Sequence, residues 1–202
     1  MHHAEHVLIS QYAAAELAGA LMLGKFARKT SSGYLRSKYI WHCAEEARHS
    51  WMWAELLEQQ QMQPIEVHDE DGDQYFTYFK EVCNDIDFLA FVHVYEMRVP
   101  FHLSVNAKMT NLTEPTRDVM YQLIKEESSH LSWVSDYLKK QKDEGNTQVA
   151  SAVEKFGLIE AQTYNDHIQK LQAAGGDFQE FGDLLAQHAT EYNKPWQNFL
   201  TA

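Results

Sequence analysis

Proline occurs only at positions 64, 100, 115 and 195 of this 202-residue chain, and the long stretches between carry apolar residues three and four positions apart. That spacing is the period of an α-helix, and no strand-like alternation competes with it, so the sequence predicts an all-α fold. A first helix runs from about Ala4 to Arg28 and ends at the Lys29-Thr30-Ser31-Ser32-Gly33 cluster. A second runs from about Tyr34 to Gln60. Gln61 to Asp73, with Pro64 and Asp71-Gly72, is a turn-rich crossover. Its Asp69, Asp71 and Asp73 do not make a calcium loop, because the glycine is misplaced and no glutamate closes the series. A third helix covers about Tyr75 to Met109, with a break near Asn84 and a kink at Pro100. A fourth starts near Thr113, an N-cap followed by Pro115, and runs to about Lys142. Two more, about 147 to 171 and 177 to 192, follow on either side of Gly175-Gly176. Short links make antiparallel neighbours, and one long link between helices 2 and 3 gives a four-helix bundle with a single long crossover.

Composition bounds the setting. With 45% hydrophobic and 12% aromatic residues the chain can bury one substantial core, so a single domain over 1–202 is expected, with a bundle at about 4–142 and a C-terminal helical extension at about 143–202. A net charge of −12 argues against nucleic acid and against an anionic membrane as partner. Cys43 and Cys83 are the only cysteines, which leaves no disulfide framework and fits a reducing interior. The opening residues lack the basic region and cleavage signal of a secretory peptide, and Val7 to Leu23 is interrupted by Ser10, Gln11 and Glu16. A soluble, cytoplasmic protein is expected. His2, His3 and His6 read as a frayed tail.

The chemistry lies in four carboxylate positions. Glu16 sits inside Ala13-Ala14-Ala15-Glu16-Leu17-Ala18-Gly19-Ala20, where a charge is expensive unless paired or metal-bound. Glu46-Ala47-Arg48-His49 sets a carboxylate and an imidazole three residues apart on one helical face. Glu96 repeats the first arrangement within Phe91 to Val99, and Glu127-Ser128-Ser129-His130 repeats the second. The register is regular: 30 residues separate Glu16 from Glu46 and 31 separate Glu96 from Glu127, while the second pair repeats the first at offsets of 80 and 81. A helix-turn-helix unit used twice would place six ligands around one axis. Four ionised carboxylates and two neutral imidazoles balance two divalent cations, and without them the carboxylates would repel one another. Carboxylate with some imidazole suits iron or manganese.

Over residues 7 to 138 this pattern resembles the ferritin-like di-iron carboxylate superfamily, whose motif is Glu, Glu-x-x-His, Glu, Glu-x-x-His on four successive helices. The resemblance implies two Fe ions (Mn or mixed Fe/Mn as alternatives) held by Glu16, Glu46, His49, Glu96, Glu127 and His130, with no catalytic residue beyond the ligands. It implies a non-haem di-iron oxidoreductase that uses O2 or peroxide to oxidise or hydroxylate a small organic substrate, fed by an external electron donor. A ferroxidase of an iron-storage protein is the alternative reading, and a tRNA-modifying hydroxylase of the same superfamily a further one, which the acidic balance disfavours. A metal-stabilised bundle without turnover is a third. A homodimer is compatible with all of them. A carboxylate one turn after Glu96, typical of rubrerythrins, would fall at Val99 or Pro100 and is missing.

Metal-bound histidine usually donates its other N–H to a carboxylate, and Glu45 and Glu126, each just before a ligand, are candidates for that role toward His130 and His49. Either could instead be the ligand itself. Tyr12, Ala13, Gly19, His42, Val92 and His93 are candidates to line a pocket. For Tyr12 core packing is the competing reading, and His42 and His93, each about one turn before a ligand glutamate, read as extra ligands or as hydrogen-bonded core histidines.

Overall fold

The computed structural model describes residues 2–65, 79–192 and 194–201. Seven helices are described, and no strand occurs among these residues: α1 His3–Lys29, α2 Gly33–Gln59, α3 Asp85–Asn106, α4 Glu114–Asp143, α5 Gln148–Ala174, α6 Gly176–Tyr192 and α7 Lys194–Thr201. The chain divides into two compact units, Met1–Gly72 with Asn111–Val119, and Asp73–Thr110 with Met120–Ala202. The later part of the expected crossover, with its aspartates, and the expected helix start at Tyr75 lie outside the described residues.

In the first unit a three-residue link folds α1 and α2 into an antiparallel hairpin. Ser32 caps α2, its hydroxyl accepting from the Leu35 amide at 3.2 Å. The Arg36 guanidinium donates to the carbonyls of Ala27 (3.2 Å) and Thr30 (2.9 Å), groups that the end of α1 leaves without helical partners. Ile9, Leu23, Phe26, Leu35, Tyr39, Trp53 and Leu57 are buried. The N-terminus does not fray as expected. His6 bonds the Gln63 carbonyl at 2.7 Å, and the buried Glu5 accepts from the Thr113 amide (2.8 Å), the Thr113 hydroxyl (2.7 Å) and the Thr116 hydroxyl (2.6 Å). One carboxylate oxygen thus satisfies the start of α4 and fixes the first turn of α1.

By length and composition α1 is apolar enough to cross a membrane, with a window of mean hydropathy 1.4. Ser10 and Glu16, read as interruptions of this run, are both buried. Position near the N-terminus makes a signal sequence pass the same test, as does a core helix.

In the second unit the break expected near Asn84 is the start of α3, where the Asn84 side chain accepts from the amides of Ile86 (2.9 Å) and Asp87 (3.0 Å) and caps the helix. It continues through Pro100 to Asn106. Phe88, Leu89, Ala90, Val94, Leu103 and Val105 are buried on several sides of it, as befits a helix onto which α5, α6 and α7 all pack. Gly175 (φ 72°) and Gly176 (φ 55°) make the left-handed turn between α5 and α6. The sequence reading did not anticipate α7, whose Trp196 lies against Gly157 of α5. A Cβ at Gly157 would penetrate the indole ring. Gly157→Ala is therefore expected to cost roughly 1–3 kcal/mol, seen as a melting temperature lower by about 2–4 °C per kcal/mol. An unchanged melt would mean that α7 is not seated there.

Candidate metal centre

Buried histidine and glutamate side chains that could hold a metal ion occur in both units: His42, Glu46 and His49 in the first, Glu96, Glu127 and His130 in the second. Glu16, on α1, is buried as well but lies outside these groups among the described residues.

Helical spacing sets the first group. His42, Glu46 and His49 follow one another at four and three residues on α2, so they share its inward face. The His42 ring nitrogen Nε2 lies 3.0 Å from Glu46 Oε1. The other Glu46 oxygen rests over α1 at Gly19, where a Cβ would stand 3.3 Å from Oε2. The small side-chain volume at Gly19 of α1 therefore makes room for the α2 carboxylate. Ser50 ties the helices together just beyond, its hydroxyl donating to the Ala13 carbonyl at 2.7 Å. Tyr12 stacks on the buried Trp53, ring centroids 5.0 Å apart, so packing accounts for it. Glu45 is half-buried and pairs with Arg48 at 3.1 Å.

In the second unit α3 carries Glu96, and α4 carries Glu127 and His130, whose Nδ1 lies 3.1 Å from Glu127 Oε2. Glu126 accepts from Gln122 at 3.1 Å. Val92 is buried, and so is His93, whose ring packs on Phe199 of α7 at 4.7 Å. Neither His93 ring nitrogen has a hydrogen-bond partner among the described residues.

A further buried polar group in this unit escaped the sequence reading. Arg98 of α3 pairs with Glu160 of α5 and lies over the rings of Tyr95 (4.9 Å) and Tyr164 (4.7 Å), while His102 Nδ1 meets the Tyr164 hydroxyl at 2.6 Å. The signal was present in principle, since Arg98 interrupts an apolar run as Glu96 does. Its partner lies 62 residues away and could not be read from spacing.

Burial, helped by the charge of Lys139, pushes the His93 imidazole down to about 4 from an ordinary 6.5. Burial, with Arg98 and His167 adding to it, also holds His102 well below its ordinary value. Both stay neutral in the fold while the unfolded chain takes up protons near pH 6.5. Stability is thus full above that pH and falls as the pH drops toward 4, by an amount on the order of 3 kcal/mol for His93 alone. Metal-free protein should melt progressively earlier across this window, and His93→Leu should flatten the dependence. A melting temperature independent of pH from 7 to 4.5 would contradict the neutral burial of these rings.

Among the described residues the molecule is all-helical, with buried His and Glu side chains that could hold a metal ion. The chain matches no family model, no curated protein and no solved structure.

Proposed function

We propose that this protein is a dinuclear non-haem iron oxidoreductase of the ferritin-like class. In this reading α1 to α4 form the four-helix bundle, and Glu16, Glu46, His49, Glu96, Glu127 and His130 hold two ions. The observation that best supports it is the burial of two Glu-x-x-His pairs, one in each unit, at 6% exposure or less for all four side chains. Ionised carboxylates are rarely kept from water without a cation, and a donor set of carboxylates and imidazoles without thiolate fits iron or manganese.

Two bound ions would supply redox and Lewis-acid chemistry toward O2 or peroxide. The chain's own residues position the donors. His42 and the space above Gly19 fix the two oxygens of Glu46, and Glu127 orients the ring of His130. Tyr12, Trp53 and Val92 contribute apolar bulk that excludes water. The substrate is a small organic molecule, and electrons arrive from an external donor.

The test is to load the protein with Fe(II) without oxygen, admit O2, and follow iron content and native mass while more Fe(II) is added. About two irons per chain should be retained, with no mineral. Oxidation of tens of irons per chain into a large shell would establish iron storage instead. Failure to hold more than one ion would end the two-metal reading.

A further inference from the structure

The outward side of the α1–α2 hairpin is apolar in its middle and charged at its ends. Exposed positions recur along α2 every three or four residues as Arg36, Ile40, Ala44, Ala47, Trp51, Ala54 and Glu58, a single stripe. Along α1 the matching stripe is Ala14, Leu17, Leu21, Lys25 and Arg28. The two stripes border one groove of about 500 Å³, lined by Gly24, Ala27, Arg28, Arg36, Ile40 and Cys43. Leu17, Leu21, Ile40 and Trp51 are 49%, 69%, 57% and 57% exposed. These four side chains alone present roughly 450 Å² of apolar surface, the size of the largest patch on an ordinary monomer. With the alanines and aliphatic stems around them they approach the roughly 800 Å² that each partner contributes to a stable interface. Only 22% of the most apolar window of α1 is buried.

We propose that a second copy of this chain covers this face, antiparallel and related by a two-fold axis passing near Ala47. The stripe is self-complementary about that residue. Arg36 lies eleven residues before it and Glu58 eleven after, so turning a copy end for end sets the basic end of one hairpin (Lys25, Arg28 and Arg36) against Glu58 of the other, at both ends of the contact. In the same register Trp51, four residues after the axis, meets Cys43, four before it. The exposed indole thereby enters the groove beside Cys43 and Ile40, a large anchor in a pocket of matching chemistry. At the axis itself Ala44 and Ala47 let the two α2 helices approach closely. A membrane surface would use the apolar middle but gives no role to the paired charges or to the groove.

The full-length protein should have the native mass of a dimer at micromolar concentration. Trp51→Glu should yield a monomer with unchanged helix content. Glu58→Arg should weaken association at least tenfold, and Arg28→Glu added to it should restore the dimer. Because the axis passes near Ala47, Ala47→Cys should cross-link two copies on mild oxidation, whereas Ala14→Cys should not, and this holds even if Trp51→Glu folds poorly. A monomeric wild type, a Trp51→Glu protein still dimeric, or a monomer that sediments with neutral phosphatidylcholine vesicles would each overturn the proposal.

Discussion

Replacing Glu46 with alanine is expected to reduce bound iron from about two ions per chain to one or none, and His130→Ala is expected to do the same. Glu46 is the carboxylate whose surroundings are most completely specified, with His42 on one oxygen, Gly19 under the other and 6% exposure overall. Its loss removes a buried donor from the site. Glu45→Ala and Glu126→Ala should retain both ions, with affinity lower by roughly 10- to 100-fold if these groups orient the ligand histidines. The pair Glu16→Ala and His42→Ala separates two assignments, because the motif makes Glu16 a ligand while the structure groups His42 with Glu46. Elemental analysis of the purified variants checks all of these, with circular dichroism confirming that each is folded. Full loading of Glu46→Ala together with an empty Glu45→Ala would show that the ligand register is off by one residue.

Stripping the metal is expected to lower the melting temperature by about 15–30 °C. An ion present at a thousand times its dissociation constant stabilises the folded state by about 4 kcal/mol, so two contribute about 8. In a chain of this length each kcal/mol moves the midpoint by about 2–4 °C. The same interior carboxylates that bind the ions oppose folding once the ions are gone, since like charges held away from water repel. It follows that metal-free Glu46→Ala should melt at or above metal-free wild type, although the wild type is the more stable of the two when loaded. Scanning calorimetry of loaded, chelated and reloaded protein decides the matter. Coincident melts of the loaded and chelated forms would remove the metal from any role in the fold.

Much of the local structure was legible in the sequence because helices announce themselves by period and punctuation. The expected first, second, fourth, fifth and sixth helices agree with α1, α2, α4, α5 and α6 to within three residues at each end. Burial of Glu16 and Glu96 was legible from their apolar neighbours, and that of Glu46 and Glu127 from their register with His49 and His130. Partners were not. Period tells which face of a helix turns inward, but not what it meets, so Glu5 with Thr113 and Thr116, and Arg98 with Glu160, went unseen. The break near Asn84 was legible and is the start of α3, where the Asn84 side chain caps the amides of the new helix. Trp196 on Gly157 was hidden, since the glycine marks a close approach whose other member lies on a helix the pattern did not reveal.

The clasp between Glu5 and the Thr113–Thr116 turn bears on the order in which the chain can take shape during synthesis. Its two sides are separated by 108 residues, and the hairpin of α1 and α2 emerges from the ribosome long before Thr113 does. At roughly 5–20 residues per second the interval is on the order of 5–20 s, during which the Glu5 carboxylate has no hydroxyls to hold and the 111–119 part of the first unit does not yet exist. The first unit therefore closes only after all of α3 has been made. An early hairpin, its apolar surfaces still uncovered, is the species that a growing chain must keep from aggregating.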